Sequence, residues 1–251
     1  MQPYTHFITD IPSYSLLAFI GLMFAIVICV VREKKYGYND RILLIIMCFT
    51  LIGMALGSKL LFFITQMPYV LENFSIKNLL DTFITSGFVF YGGLLGAYAF
   101  AYLGARVVKV EPKQMLSYLT PSFVIFHAFG RIGCFLGGCC YGIPWEYGIA
   151  MAESPDIKRF PIQLFEAGIE LLIFFMLLRI EKKGTYNLAV IYLLTYSIIR
   201  FLDEFLRDDG IRGIWFLGLS TSQYISLIIF VAVIVYLIIH KERKKECTES
   251  K

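Results

Sequence analysis

Three basic residues stand where the surrounding sequence is apolar: Lys59, Arg131 and Arg200. Arg131 lies in His127-Ala128-Phe129-Gly130-Arg131-Ile132-Gly133-Cys134, and Arg200 opens Arg200-Phe201-Leu202-Asp203-Glu204-Phe205-Leu206-Arg207. A charged side chain at the centre of a bilayer costs about 2.5–3.5 kcal/mol on insertion scales, so it needs a partner or a task. Two guanidiniums offer planar forks of donors that match phosphate oxygens. In a membrane the nearest phosphates belong to lipid headgroups, so charge alone points to a phospholipid site. It does not separate an enzyme from a transporter. Structural roles stand beside this one. Arg131 has a potential buried ion-pair partner in Glu166 or Glu170. Arg200, Glu204 and Arg207 follow at i, i+4 and i+7, one face of a helix that pairs along itself or ends in solvent. Lys59, after Gly57 and Ser58, has a stem long enough to reach the interface. His127, one turn before Arg131, reads as a packed core histidine rather than a base.

These charges matter because of their setting. Of the 251 residues 58% are hydrophobic and 17% charged, where globular chains run about 45–50% and 25%. That excludes a disordered chain, whose mark is low hydrophobicity with high net charge. The net charge is only +4, and the basic residues come in short clusters between apolar runs, which argues against a nucleic-acid partner. A helix crossing a membrane needs roughly 20 mostly apolar residues. Seven runs come near this: Tyr14–Val31, Ile42–Ile64, Ile84–Leu103, Met115–Gly137, Ile162–Leu178, Leu188–Leu202 and Gln223–His240. No basic residue precedes the first run and no small-residue cleavage site follows it, so it reads as a retained helix rather than a signal peptide. Fifteen of the twenty-three Lys and Arg residues fall in one set of alternate segments, including Arg32, Lys109, Lys182 and Lys244. Only five, Lys77, Lys158, Arg159, Arg207 and Arg212, fall in the opposite set. By the positive-inside rule the N-terminus is outside and the C-terminus cytoplasmic. The expected fold is an all-α integral membrane protein of about seven transmembrane helices, a single polytopic domain over residues 1–251.

Two segments are dense in glycine. Tyr91-Gly92-Gly93-Leu94-Leu95-Gly96 sits in the third run, and the stretch from Gly130 to Gly142, ends included, holds five more glycines. Small residues let membrane helices approach closely, and they also permit broken helix where backbone lines a cavity. Cys134, Cys139 and Cys140 cluster in the second of these segments. No His or Asp stands at a usual structural-zinc spacing from them, so packing or a disulfide is expected and no metal. Gly210 to Gly218, with Trp215, reads as an outer loop or interfacial helix, and His6 as an extracellular residue without a role.

At these segments the sequence resembles the bacterial prolipoprotein diacylglyceryl transferases. Where the family pattern reads Gly-Arg-(Leu or Ile)-Gly-Asn-Phe-Ile-Asn-x-Glu-x-x-Gly, this sequence reads Gly130-Arg131-Ile132-Gly133-Cys134-Phe135-Leu136-Gly137-Gly138-Cys139-Cys140-Tyr141-Gly142. Tyr14, Gly57-Ser58-Lys59, Pro161-Ile162-Gln163-Leu164-Phe165-Glu166 and the stretch from Arg200 to Glu204 fall in family order. The resemblance runs from Tyr14 to about Tyr224. It implies a multi-pass enzyme of the bacterial cytoplasmic membrane that needs no cofactor. Such an enzyme moves the diacylglyceryl group of phosphatidylglycerol to the lipobox cysteine thiol of a prolipoprotein signal peptide, releasing glycerol-1-phosphate. The nucleophile belongs to the substrate. By carry-over Arg131 and Arg200 hold the headgroup and leaving phosphate, Glu204 orients Arg200, Tyr14 and Gly142 shape the site, and Gln163 contacts substrate or braces its helix. Gly92, Gly93, Lys59, Cys134 and Cys139 complete the substrate region, and Tyr91 joins Arg131, Arg200 and Glu204 at the catalytic positions. Three of the departures from the pattern matter most. Tyr91 replaces the family histidine before Gly-Gly, Cys134 its asparagine and Cys139 its glutamate. A phenol is a poorer base at neutral pH than an imidazole. The departures leave open a divergent member acting on another lipid, and a phospholipid transporter or flippase is the further alternative.

Overall fold

The computed structural model describes residues 4–5, 11–72, 75, 80, 89–151, 154–184, 187–208, 213–214 and 216–249. Every apolar run falls on a helix. In chain order these are α1 (Ser13–Tyr36), α2 (Asp40–Glu72), α3 (Phe90–Val107), α4 (Pro112–Gly137), α5 (Ile162–Lys183), α6 (Leu188–Asp203) and α7 (Thr221–Glu249). Residues 84–88, which open the third run, lie outside the described residues, as do His6, Lys77, Arg212 and Trp215. Local signals set several ends. Pro112 occupies the first turn of α4, where its missing N–H costs nothing. The Asn187 side chain accepts from Val190 N at 3.3 Å and caps α6.

Four helical segments are long and apolar enough to cross a membrane: Ser13–Tyr36, Asp40–Met67, Pro112–Gly137 and Thr221–Lys241. α6, at 16 residues, is shorter than the usual crossing length. α1 leaves Phe19, Val27 and Val31 exposed, and α7 leaves Ile228, Val231 and Ile238 exposed. Surfaces this apolar suit lipid better than water.

The all-helical expectation is amended by two antiparallel pairs. β1 (Tyr4–Thr5) pairs with β2 (Ile11–Pro12), and β3 (Pro144–Met151) pairs with β4 (Ser154–Arg159) through an irregular register. The segment between α4 and α5 is too polar to continue a membrane helix, and its backbone groups satisfy each other as a hairpin instead.

The chain divides into two compact units, residues 27–123 and residues 1–26 with 124–251. In the first, α2 and α3 approach at backbone distance. A Cβ on Gly92 would collide with the carbonyl oxygen of Gly57, and one on Gly57 with that of Gly92; Gly53 and Gly96 are matched in the same reciprocal way. Beside them Ser58 Oγ donates to Val89 O at 3.2 Å. Lys59 is half-buried on α2, and Tyr91, Gly92 and Gly93 are buried at the start of α3. Elsewhere in this unit Cys29, Ile46, Ala101, Met115 and Tyr118 form an apolar core. Arg32 donates to Tyr118 O at 2.5 Å, and Tyr118 OH donates to Cys29 O at 2.5 Å.

Glycine at the α2–α3 contact is therefore a steric requirement. Gly92→Ala is expected to destabilise the protein by about 1–3 kcal/mol, the usual cost of overpacking. Gly168→Ala on α5, where nothing lies within 4 Å of the new methyl group, is expected to be neutral or stabilising. Thermal melting of both variants in the same detergent checks the contrast.

Candidate active site

The second unit gathers the charged residues, because helical spacing puts them on matching faces. On α4, His127, Arg131 and Cys134 follow at i, i+4 and i+7; on α5, Gln163, Glu166 and Glu170 at i, i+3 and i+7. Tyr192, Tyr196 and Arg200 recur every four residues on α6. Arg131, Gln163, Glu166, Arg200 and Glu204 are all buried, each less than a tenth exposed.

These faces meet in a chain of ion pairs. Arg131 Nη2 contacts Glu166 Oε2. Glu166 Oε1 lies 3.6 Å from Arg200 Nη1, and Arg200 Nη2 lies 2.5 Å from Glu204 Oε2. Glu204 Oε2 is in turn 3.7 Å from Arg207 Nη1. Arg200 Nη2 also donates to Ser222 Oγ of α7 at 3.3 Å. The ion pair weighed as a structural role for Arg131 is thus present, with Glu166 rather than Glu170 as the partner. The i,i+4 pair of Arg200 and Glu204 is present too, buried rather than solvated. Three guanidiniums alternate with two carboxylates, and the chain begins and ends on arginine. Glu170 takes a different partner, His127, with Oε1 at 3.1 Å from Nδ1. His127 also lies 3.4 Å from the Tyr192 hydroxyl and packs edge-on against Tyr196. It is a buried core histidine, as its sequence context suggested.

Backbone geometry shapes the outer part of the site. α4 ends in a Schellman turn. Gly138 N donates to Phe135 O at 3.2 Å and Cys139 N to Cys134 O at 3.2 Å, with Gly138 at φ +76°. This turn brings the residue three from the helix end, Cys134, against the second residue beyond it, Cys139. Cys140 follows at φ +59°, an uncommon conformation for a residue with a side chain. The three sulfur atoms lie within 4.8 Å of one another. Hydrogen bonds from the thiols of Cys134 and Cys139, and the nearby guanidiniums of Arg207 and Arg131, hold the Cys140 thiol well below the usual thiol range.

The segment after the cysteines is pinned on both sides. Gln163 Nε2 donates to Cys139 O at 2.7 Å, which makes Gln163 a brace for this turn. Gly142 bridges Arg207, Ile143 N donates to Leu206 O at 3.0 Å, and Asp208 N donates to Tyr141 O at 3.2 Å. A side chain at Gly142 would press on Phe160 O at 2.5 Å and Leu206 O at 2.9 Å. Arg159 donates to Asp208 Oδ2 at 2.8 Å and to Gly142 O at 3.2 Å, and its guanidinium stacks over Tyr141. Tyr14 lies beside Gly133, where a Cβ would sit 3.2 Å from its ring.

Of the residues singled out in the sequence, Tyr14, Arg131, Cys134, Cys139, Gly142, Gln163, Arg200 and Glu204 belong to this unit, while Lys59, Tyr91, Gly92 and Gly93 belong to the other. Three further members were not chosen as site residues: Glu166, Arg207 and Cys140. The signal for the first two was present, since Glu166 closes the Pro-x-Gln-Leu-Phe-Glu segment and Arg207 extends the Arg200–Glu204 face.

A largely helical chain with four segments fit to cross a membrane, and with arginines and glutamates buried together, defines a class of membrane protein built around a charged internal site. Comparison with known proteins is more specific. Residues 4–239 match the family described as prolipoprotein diacylglyceryl transferase, and the chain belongs to that family. A phosphatidylglycerol–prolipoprotein diacylglyceryl transferase of Clostridium tetani is 32% identical over 93% of this chain and 94% of its own length. A second transferase of that name from Clostridium perfringens is 30% identical over 95% and 94% respectively. One from Helicobacter pylori is 32% identical over 78% of this chain and 76% of its own.

Removing Glu166's charge leaves Arg131 and Arg200 facing each other without the carboxylate between them. Glu166→Gln is expected to cost about 3–5 kcal/mol, as when a buried pair loses one partner. Melting in detergent micelles measures this, and Glu166→Asp should recover part of the loss.

Proposed function

We propose that this chain transfers the diacylglyceryl group of phosphatidylglycerol to the lipobox cysteine thiol of a prolipoprotein and releases glycerol-1-phosphate. The observation that carries this reading is the buried chain of ion pairs, with arginine at both ends and three guanidiniums to two carboxylates. Its surplus of cationic donors suits an anionic headgroup. As the thiol sulfur bonds to the glyceryl carbon, the carbon–oxygen bond to phosphate breaks and charge grows on the departing phosphate. Donors fixed in place before the reaction stabilise that growing charge more than the ground state. Arg131 and Arg200 take the phosphate, Glu166 and Glu204 hold their forks in position, and Gln163, Tyr14 and Gly142 shape the surrounding wall. The resemblance also assigns Tyr91, at the family's histidine position, and Gly92, Gly93 and Lys59 to substrate handling.

The whole chain acts as one polytopic membrane domain of seven crossings, N-terminus outside and C-terminus cytoplasmic, in the bacterial cytoplasmic membrane. The fifteen-to-five distribution of basic residues supports that orientation. The phosphatidylglycerol and the prolipoprotein signal peptide then meet at the outer half of the bilayer. A transporter reading has less behind it, since the sequence has no visible inverted repeat.

The experiment mixes purified protein, phosphatidylglycerol vesicles and a lipobox peptide, and measures glycerol phosphate release together with thioether product. Wild-type protein should release it. Arg131→Ala and Arg200→Ala should each lower the rate by about 10²–10³, the scale of losing one preorganised donor. No release by wild-type protein across several peptides overturns the reading and favours another lipid or acceptor.

A further inference from the structure

Cys134, Cys139 and Cys140 form a group that the reading above does not use. Their sulfurs lie within 4.8 Å of one another. In a tetrahedral zinc–thiolate site, with Zn–S near 2.3 Å, sulfurs sit about 3.8 Å apart, so only a small contraction separates this cluster from a ligand set. The turn that gathers them is not improvised. The Schellman bonds fix Cys134 against Cys139, Cys140 follows in a left-handed backbone conformation, and Gln163 holds the Cys139 carbonyl. Ligands carried on a helix end and braced in this way keep their geometry when a metal arrives.

From this geometry we infer that Cys134, Cys139 and Cys140 bind a thiophilic divalent cation of the zinc type, and that its open fourth position takes the acceptor thiol. Three considerations carry the inference. Among the described residues no fourth carboxylate, imidazole or thiol joins the group, and three protein ligands with one open position is the pattern of catalytic rather than structural zinc. Cys139 is exposed, so the cluster has an open side. Finally, Cys134 stands one turn beyond Arg131 on the same helix face, which sets the bound thiol beside a guanidinium assigned to the leaving phosphate.

This inference rests on the transferase reading, and it answers a difficulty within it. The acceptor thiol must lose its proton, and the phenol that replaces the family histidine is a weak base near neutrality. Coordination to a cation removes the proton from a thiol directly. The proton passes to water, the metal-held sulfur forms its bond to the glyceryl carbon, and the carbon–oxygen bond to phosphate breaks. The electron pair of that bond stays on the phosphate oxygen, and glycerol phosphate departs. No group is oxidised or reduced. The thioether product is a weaker ligand than the thiolate and leaves the metal.

The test uses full-length protein, reduced and stripped of metal in detergent, with cobalt(II) as a spectroscopic stand-in and zinc as competitor. One cobalt per chain is expected, with a thiolate charge-transfer band that zinc abolishes. Cys134→Ser, Cys139→Ser and Cys140→Ser should each weaken binding by more than about tenfold, while Cys48→Ser, on exposed α2 surface, should not. Melting curves confirm that the serine variants fold. A lipobox peptide should strengthen the band by about a third, as a fourth thiolate joins three, and the peptide with serine for cysteine should leave it unchanged. Stripped protein should lose transfer activity and regain it with zinc. Failure of reduced wild-type protein to bind cobalt, a fourth-thiolate change that does not appear, or full transfer by metal-free protein overturns the inference while leaving the transferase reading intact. Cobalt bound by the three cysteines and thiolated by peptide, without glycerol phosphate release under any condition, supports the metal site and overturns the transferase reading instead.

Discussion

Glu166 is the residue on which the buried site depends. One carboxylate, almost without solvent, lies between the guanidiniums of Arg131 and Arg200, which arrive from different helices. Without it two like charges would face each other where water cannot screen them. With it, α4, α5 and α6 are held at the positions that keep both forks in place. Glu204 does the same for Arg200 and Arg207 from the end of α6. Such a chain contributes little net stability, because desolvation offsets much of the Coulomb gain. What it supplies is fixed orientation, which is what a site for a developing phosphate charge requires.

That orientation is set by where helices stop. α6 gives way at Glu204 to a single tight turn, and Arg207 then runs extended to bridge Gly142. α4 stops at Gly137 and its Schellman turn feeds the same segment. Two helix ends are therefore joined through residues 141–143 and 206–208, and the hairpin beyond is clipped on by Arg159. Breaking a helix in apolar surroundings exposes carbonyl and amide groups, and here each end finds partners in the other's backbone or in the Gln163 side chain. The polar cluster and the broken helices are the same feature seen from two sides.

How much of this was legible follows from what each part depends on. Among the described residues, apolar runs of near-membrane length locate each of the seven long helices, since hydropathy alone governs them. The ends did not follow: α2 runs on to Glu72, past the apolar stretch that ends near Ile64, because a helix continues after its apolar residues stop. The β3–β4 hairpin left no trace, for β3 is exposed along most of its length and so lacks the alternation that marks a half-buried strand. Arg131 and Arg200 stood out because charge in an apolar run is costly, and Glu166 could be named as a partner by position. That one glutamate serves both arginines depends on helix rotation, which no spacing on a single helix reveals. The meeting of Cys134, Cys139 and Cys140 depends on a left-handed turn at Gly138 and another at Cys140. A search for metal-ligand spacings passes over such a turn.

The three departures from the family pattern make better sense together than apart. Taken singly, Tyr91 weakens a base, and Cys134 and Cys139 remove an amide and a carboxylate. Each reads as a loss. Yet both cysteines fall on the two turn positions that a Schellman motif brings together, and a third follows immediately in a left-handed conformation, its sulfur within 4.8 Å of theirs. Packing alone asks for small side chains at those positions and has no preference for sulfur at all three. A cation held by thiolates has that preference, and it removes the need for an imidazole at position 91, where this chain has tyrosine. On this argument the chain has not lost the means of activating a thiol. It has moved that task from the helix that carries Tyr91 to the end of the helix that carries Arg131.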